Sequence, residues 1–388
     1  MTQDSPSIPL SSTPALTDEA TLDLAIDCLI EHLPLEMQGD YNSETLFEIL
    51  LHAASKQQSI EQSTKCLAGA PTGKTIHYHL EKFDDLGNLE QQLNAALQSR
   101  IPSRVKKRKH RLAIDLHLIP YYGQPTEAEQ PYIYRSQAKA GTTRFFAYAT
   151  IYLIRRHKRV TLAIHAVPRH ETLVATITHL LAMISPLKVG IQYLLLDRGF
   201  FSVPVIRWLK ALNIPFVMPA IIRGKQSGTR QLLKGRQSYA TVYTLNSKLY
   251  GTVDCQMRVV CHYLKGRQGK HGIGYALYVV HRLKIALSAL HQCYRERFGI
   301  ETSYRIKNLC RIRTTTKNPV VRLLFVAIAF ILVNLWVYLL WHVLSVTQRG
   351  GRVVYRNRFA LKTMMEFLSH AIEKLFPPIL AIYLPVSQ

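Results

Sequence analysis

The sequence predicts an α/β protein: a mixed sheet with helical cover in the order βββαβαβ, a β-rich insertion, and then a further helix. An N-terminal all-α domain precedes this sheet. Three observations carry the prediction. The apolar period is helical up to about residue 100 and becomes two immediately afterwards. The charge reverses at the same place: residues 1–100 hold 5 Lys and Arg against 15 Asp and Glu, and residues 101–388 hold 44 against ten. Two of those ten acids, Asp115 in LAIDLHLIP and Asp197 in YLLLDRGFF, stand alone in apolar runs that read as buried strands.

Residues 1–15 read as a flexible tail, with neither the basic start nor the apolar stretch of a signal peptide. Residues 16–100 are helical in pattern, through TLDLAIDCLIEHL, SETLFEILLHAAS, SIEQSTKCL and KTIHYHLEKF. The last two flank an AGAPTG breaker and would form a helix-turn-helix, with Lys74, Thr75, His77 and Tyr78 opening the recognition helix. A plain helical packing module fits the same residues, because the breaker is long and the surroundings are acidic.

A basic linker, IPSRVKKRKH at 101–110, marks the boundary to a core placed at 111–221 and 285–346. In its first strand Leu112, Ile114, Leu116 and Leu118 alternate with Ala113, Asp115 and His117, so Asp115 faces away from the leucines. TTRFFAYATIYLIR and KRVTLAIHAVP complete an expected three-stranded meander. HETLVATITHLLAMIS then reads as a helix, IQYLLLDRGF as a strand, VPVIRWLKAL as a helix and IPFVMPA as a strand. Asp197 falls at the carboxyl end of its strand, where ligands gather in open α/β sheets. Residues 222–284 form the β-rich insertion, rich in Lys and Arg with the single acid Asp254, suited to clamping DNA or to covering a sheet edge. Helix resumes near Ala286, and 347–388 reads as a C-terminal helical segment.

Such a basic surface suits phosphate backbones, with an anionic membrane as the competing partner. The charge-free run Leu323–Trp341 is long enough to cross a bilayer. Asn334 within it, and the lack of a second such run, favour a helix buried in a core. Six cysteines without a CxxC pair fit a reduced, cytoplasmic chain. Trp208, Trp336 and Trp341 lie in apolar helical patterns and read as core, while Tyr263 in the insertion is the aromatic best placed to stack on an extruded base.

A lone carboxylate in a buried strand costs several kcal/mol unless a cation neutralises it. Two acids at one sheet edge therefore point to divalent cations, and two-metal phosphoryl transfer requires a third acid from a later element. Asp254, Glu296 and Glu301 are the candidates. Glu301 is preferred, because Tyr294, Arg297, Glu301 and Arg305 follow at helical steps and share one face. An ordinary Arg297–Glu301 surface pair has the same spacing. His117, on the strand face of Asp115, reads as a packed or solvent-facing histidine rather than a ligand.

The pattern Tyr294-x2-Arg297-x3-Glu301, with the box Asp197-Arg198-Gly199-Phe200, resembles the signature of the DDE transposases of bacterial and archaeal insertion sequences. The resemblance covers about Arg111 to Arg313. It implies a ribonuclease-H-like core and DNA cleavage and strand transfer by Asp115, Asp197 and Glu301, which would also bind two Mg2+ ions, with Mn2+ able to substitute. It further implies double-stranded transposon-end and target DNA as partners, a homodimer in the synaptic complex, no membrane, and a nucleoid-associated place in the cytoplasm. Tyr294, Arg297, Arg305 and Lys307, together with Lys74 and His77, would contact DNA. The family expects Lys seven residues after the glutamate, where this chain has Asn308; Lys307 is one step early and off the helix face, which favours Arg305 as its substitute. Two rivals remain: a nuclease of the same fold without strand transfer, and a DNA-binding or membrane-associated protein without activity.

Overall fold

A computed structural model describes residues 15–35, 41–102, 105–106, 108–154, 160–263, 266, 272–297, 306–349, 351–354 and 356–381. Five helices open it: α1 (Asp18–His32), α2 (Ser43–Ser55), α3 (Ile60–Lys65), α4 (Gly73–Leu80) and α5 (Leu86–Ser99). Side-chain caps fix where each begins. Thr17, Asn42, Ser59 and Thr72 each accept a hydrogen bond from the backbone N–H three residues on, and Asp85 accepts from Gly87 and Asn88.

The sheet holds nine strands: β1 (Lys109–Pro120), β2 (Tyr134–Lys139), β3 (Thr142–Ile154), β4 (Val160–Val167), β5 (Gly190–Leu196), β6 (Phe216–Pro219), β7 (Tyr239–Ser247), β8 (Gly251–Tyr263) and β9 (Ile273–His281). Their order is β2-β3-β1-β5-β6-β9-β8-β7, with β4 also pairing β3. The crossovers from β4 to β5 and from β5 to β6 carry helices α6 (Leu173–Ile184) and α7 (Val203–Ala211), and β1, β5 and β6 run parallel.

Three expectations change. The meander of β1, β3 and β4 is present, but β2 adds a fourth strand that pairs with the start of β3. Its residues, YRSQAK, show no apolar alternation; what makes the hairpin is Ala140-Gly141, both left-handed at φ 51° and 77°, which is the twist a two-residue turn requires. The basic segment 101–110 is not all linker, since Lys109 and His110 already pair with Gly190 and Ile191 of β5. Of the two roles open to the β-rich insertion, covering a sheet edge is realised from within the sheet: β9 pairs antiparallel with β6, so β7, β8 and β9 continue the core sheet past the edge that β6 would expose.

After the sheet come α8 (Leu287–Arg295), α9 (Pro319–Tyr338) and α10 (Leu361–Leu375), and the C-terminal segment begins with a small hairpin, β10 (Val346–Gln348) and β11 (Gly351–Val353), ahead of α10. The membrane-length run is α9, and 89% of its most apolar window lies inside the protein. Asn334 explains its place there. Its side chain accepts from Thr161 N and donates to Thr161 O and Leu97 O, at 2.8–3.0 Å. The rest of the β4 edge is covered by α5, where Glu90, Asn94 and Gln98 stand four residues apart on one face. Glu90 accepts from Ala166 N, Asn94 bonds both N and O of Ile164, and Gln98 donates to Leu162 O.

Candidate active site

Parallel pairing of β1 with β5 sets Ile114 beside Leu196. The next step along each strand is Asp115 and Asp197, so the two isolated acids become neighbours about one strand spacing apart. Asp197 lies just past the end of β5, where its carbonyl accepts from Phe200 N and the chain turns away through Arg198–Phe200. The Asp115 side chain is 14% exposed and that of Asp197 42%, so both carboxylates are reachable from the sheet edge.

Arg297, just past the end of α8, closes the pair. Its Nη1 lies 3.4 Å from Asp115 Oδ2 and its Nη2 3.4 Å from Asp197 Oδ1. Burial opposes this charge, yet Tyr294 and the two aspartates outweigh it and hold the guanidinium above its usual pKa. Tyr294 is itself buried, with its hydroxyl donating to Leu196 O at 3.3 Å and its ring 5.5 Å from the guanidinium carbon; burial pushes its phenol up. Of the residues assigned to DNA, Tyr294 and Arg297 thus line the inner wall of the acid pair. Glu296 turns aside to Arg111. Glu301 and Arg305 lie outside the described residues.

Two residues on from Asp115, His117 Nε2 meets Lys307 Nζ at 2.7 Å. Lys307 is 3% exposed, and burial followed by the charge of Arg311 pulls its pKa down to about 7. Burial first, then Lys307, Arg311 and Lys139, hold His117 well below the usual histidine range. Lys307 therefore reaches the strand of Asp115 despite lying one step from the expected position; Asn308 is exposed. Both line a cavity of about 580 Å³ walled also by Arg311, Lys317 and Arg322. A second cavity, of about 760 Å³, shares Asn308, Arg311, Thr314, Thr315 and Phe325 with the first and continues past Arg313 to His77 of α4. The result is a basic groove that runs from His117, two residues beyond Asp115, to the helical domain.

Residues 104–335 match the family described as Transposase DDE domain, a span holding both aspartates, Arg297 and Lys307. The chain belongs to the DDE transposase family. No curated protein matches it in sequence. Among solved structures it resembles piggyBac transposase, described in a synaptic complex with hairpin DNA, at 12% identity and a TM-score of 0.56 over 91% of this chain and 81% of that one. That likeness speaks to fold.

Within this DDE family chain, the other residues singled out from sequence lie apart from the acids. His77 joins the far end of the groove and pairs with Glu61 at 2.6 Å, while Lys74 is exposed on α4. Tyr263 is 71% exposed near the end of β8. Sequence reasoning passed over Arg311, Arg313, Lys317 and Arg322, and set aside His117. The period of two that places His117 on the face of Asp115 was the available signal.

Proposed function

We propose that this chain binds the terminal inverted repeats of an insertion sequence, cleaves DNA at its ends and joins the released 3′-OH to target DNA, acting as a dimer on DNA in the cytoplasm. The observation that carries the reading is the Asp115–Asp197 pair on neighbouring parallel strands, with a basic groove that begins two residues on at His117. The strand order β4-β3-β1-β5-β6, with β3 antiparallel to its neighbours, supports a ribonuclease-H-like core.

The donor set fits magnesium. Two carboxylates reach the same guanidinium, each at 3.4 Å, which supports a shared cation site, and hard oxygen donors are what that ion takes. Asp115 and Asp197 would hold it, with Glu301 as the expected third ligand; when bound, it supplies Lewis-acid stabilisation and an activated oxygen for phosphoryl transfer. Arg297 orients both carboxylates and limits their repulsion. Arg311, Arg313, Lys317 and Arg322 would neutralise phosphates along the groove. The burial of α9 supports its role as a core helix rather than a membrane anchor.

Asp115→Ala, Asp197→Ala and Glu301→Ala should each abolish cleavage of a repeat-bearing duplex in magnesium while leaving its binding nearly intact. Normal cleavage by Asp115→Ala would sink the assignment. Hydrolysis by the wild type without joined products would point to a nuclease instead.

A further inference from the structure

On the opposite face of the sheet, three side chains converge that play no part in the acid pair. Asp115 is in register with Thr150 and Ile164, so the next residues along, Leu116, Ala149 and His165, face the other way. His165 of β4, Glu171 of the following loop and His179 of α6 meet there. His165 Nε2 lies 3.1 Å from Glu171 Oε2, His179 Nδ1 lies 3.2 Å from that same oxygen, and the two nitrogens are 3.4 Å apart.

We propose that His165, Glu171 and His179 form a zinc site that ties α5, β4 and α6 together. The three donor atoms make a nearly equilateral triangle. Its sides match the edge of a tetrahedron built on zinc bonds of 2.0–2.1 Å, which is roughly 3.3 Å. Glu90 of α5 approaches His165 Nδ1 at 2.9 Å, which sets that nitrogen as the N–H donor and turns the Nε2 lone pair toward the triangle. Without a metal ion, a proton on Nε2 takes that place and is donated to the Glu171 carboxylate, so zinc binds by displacing it. The carboxylates are themselves held: Glu90 also accepts from Ala166 N at 2.6 Å, and Thr176 donates to Glu171 Oε1 at 2.7 Å, leaving Oε2 for the ion. His165 is buried and Glu171 half-buried, while the His179 side chain is 51% exposed, giving a route in and room for a water as fourth ligand.

Two imidazole nitrogens and one carboxylate select zinc over magnesium, which distinguishes this site from the oxygen-only acid pair. The test uses the full chain, stripped with chelator and then dialysed against zinc in excess magnesium, with metal content read by mass spectrometry and affinity by calorimetry. A single zinc per chain should survive the magnesium. His179→Ala should weaken it at least tenfold, and Glu90→Gln by about 10–100-fold. Asp115→Ala/Asp197→Ala should leave it in place. Zinc should also raise the melting temperature of the wild type and not that of His179→Ala, whose exposed side chain is dispensable for folding. Failure to retain zinc would mean that protons alone hold the cluster. Zinc unaffected by His179→Ala, or lost with the aspartates, would equally overturn the site.

Discussion

Arg297 shows how much one side chain decides. Asp115 and Asp197 are legible from sequence because a single acid in an apolar strand is costly without a partner. Arg297 is legible only as a member of a helix face, where a pair with Glu301 or a contact to DNA are equal readings. Tertiary structure places it 3.4 Å from both acids. Glu48 makes a related point in α2, for it is 7% exposed and no spacing rule marks it as buried. Burial, and then the charge of Glu44, push its pKa up to about 7. The folded chain therefore keeps this proton after the unfolded chain has lost it, so its contribution to stability falls as pH rises from about 4.5 to about 7. Glu48→Gln should melt several degrees above wild type at pH 8 and at the same temperature near pH 4. Equal melting temperatures at pH 8 would contradict the burial.

Among the elements, α5 and β4 show why an all-α domain sits where it does. The edge of β4 would present unpaired backbone groups, and the polar row Glu90, Asn94 and Gln98 pairs with them in place of another strand. In sequence this row reads as the solvent face of an amphipathic helix, because nothing local marks polar residues that will bond a distant backbone. Asn94→Leu should cost about 2–4 kcal/mol in denaturant unfolding, since it strands both the N–H and the C=O of Ile164. An unchanged midpoint would show that water replaces those bonds. Asn334 uses the same logic from α9, which explains a lone amide in a run of bilayer length.

Across the whole molecule, charge is sorted by function. The N-terminal helices are tied to α10 by ion pairs in both senses, with Lys374 2.9 Å from Asp18 and, in return, Lys56 2.7 Å from Glu373, which also meets the His52 ring at 3.4 Å. The excess of Lys and Arg after residue 100 collects in part along the groove that runs from His117 to His77. Duplex affinity should fall steeply with salt, and replacing Arg311 and Arg313 together by alanine should flatten the log–log slope by roughly two, about 0.9 for each phosphate left without its arginine. A slope indifferent to both changes would place the DNA elsewhere.

The mixed sheet, the helical start, the charge break and the isolation of both aspartates are legible in the sequence, because these follow from apolar period and from the cost of burying charge, which are local properties. Not legible there are β2, whose strand is polar, and the continuation of the sheet into the insertion, which depends on an edge that only exists once β6 is placed. Folding makes Asp115 and Asp197 neighbours, sets one arginine against both, and puts His117 and Lys307 on one wall of the groove. Those are pairings between distant segments, set by strand register and packing, and no local pattern encodes them.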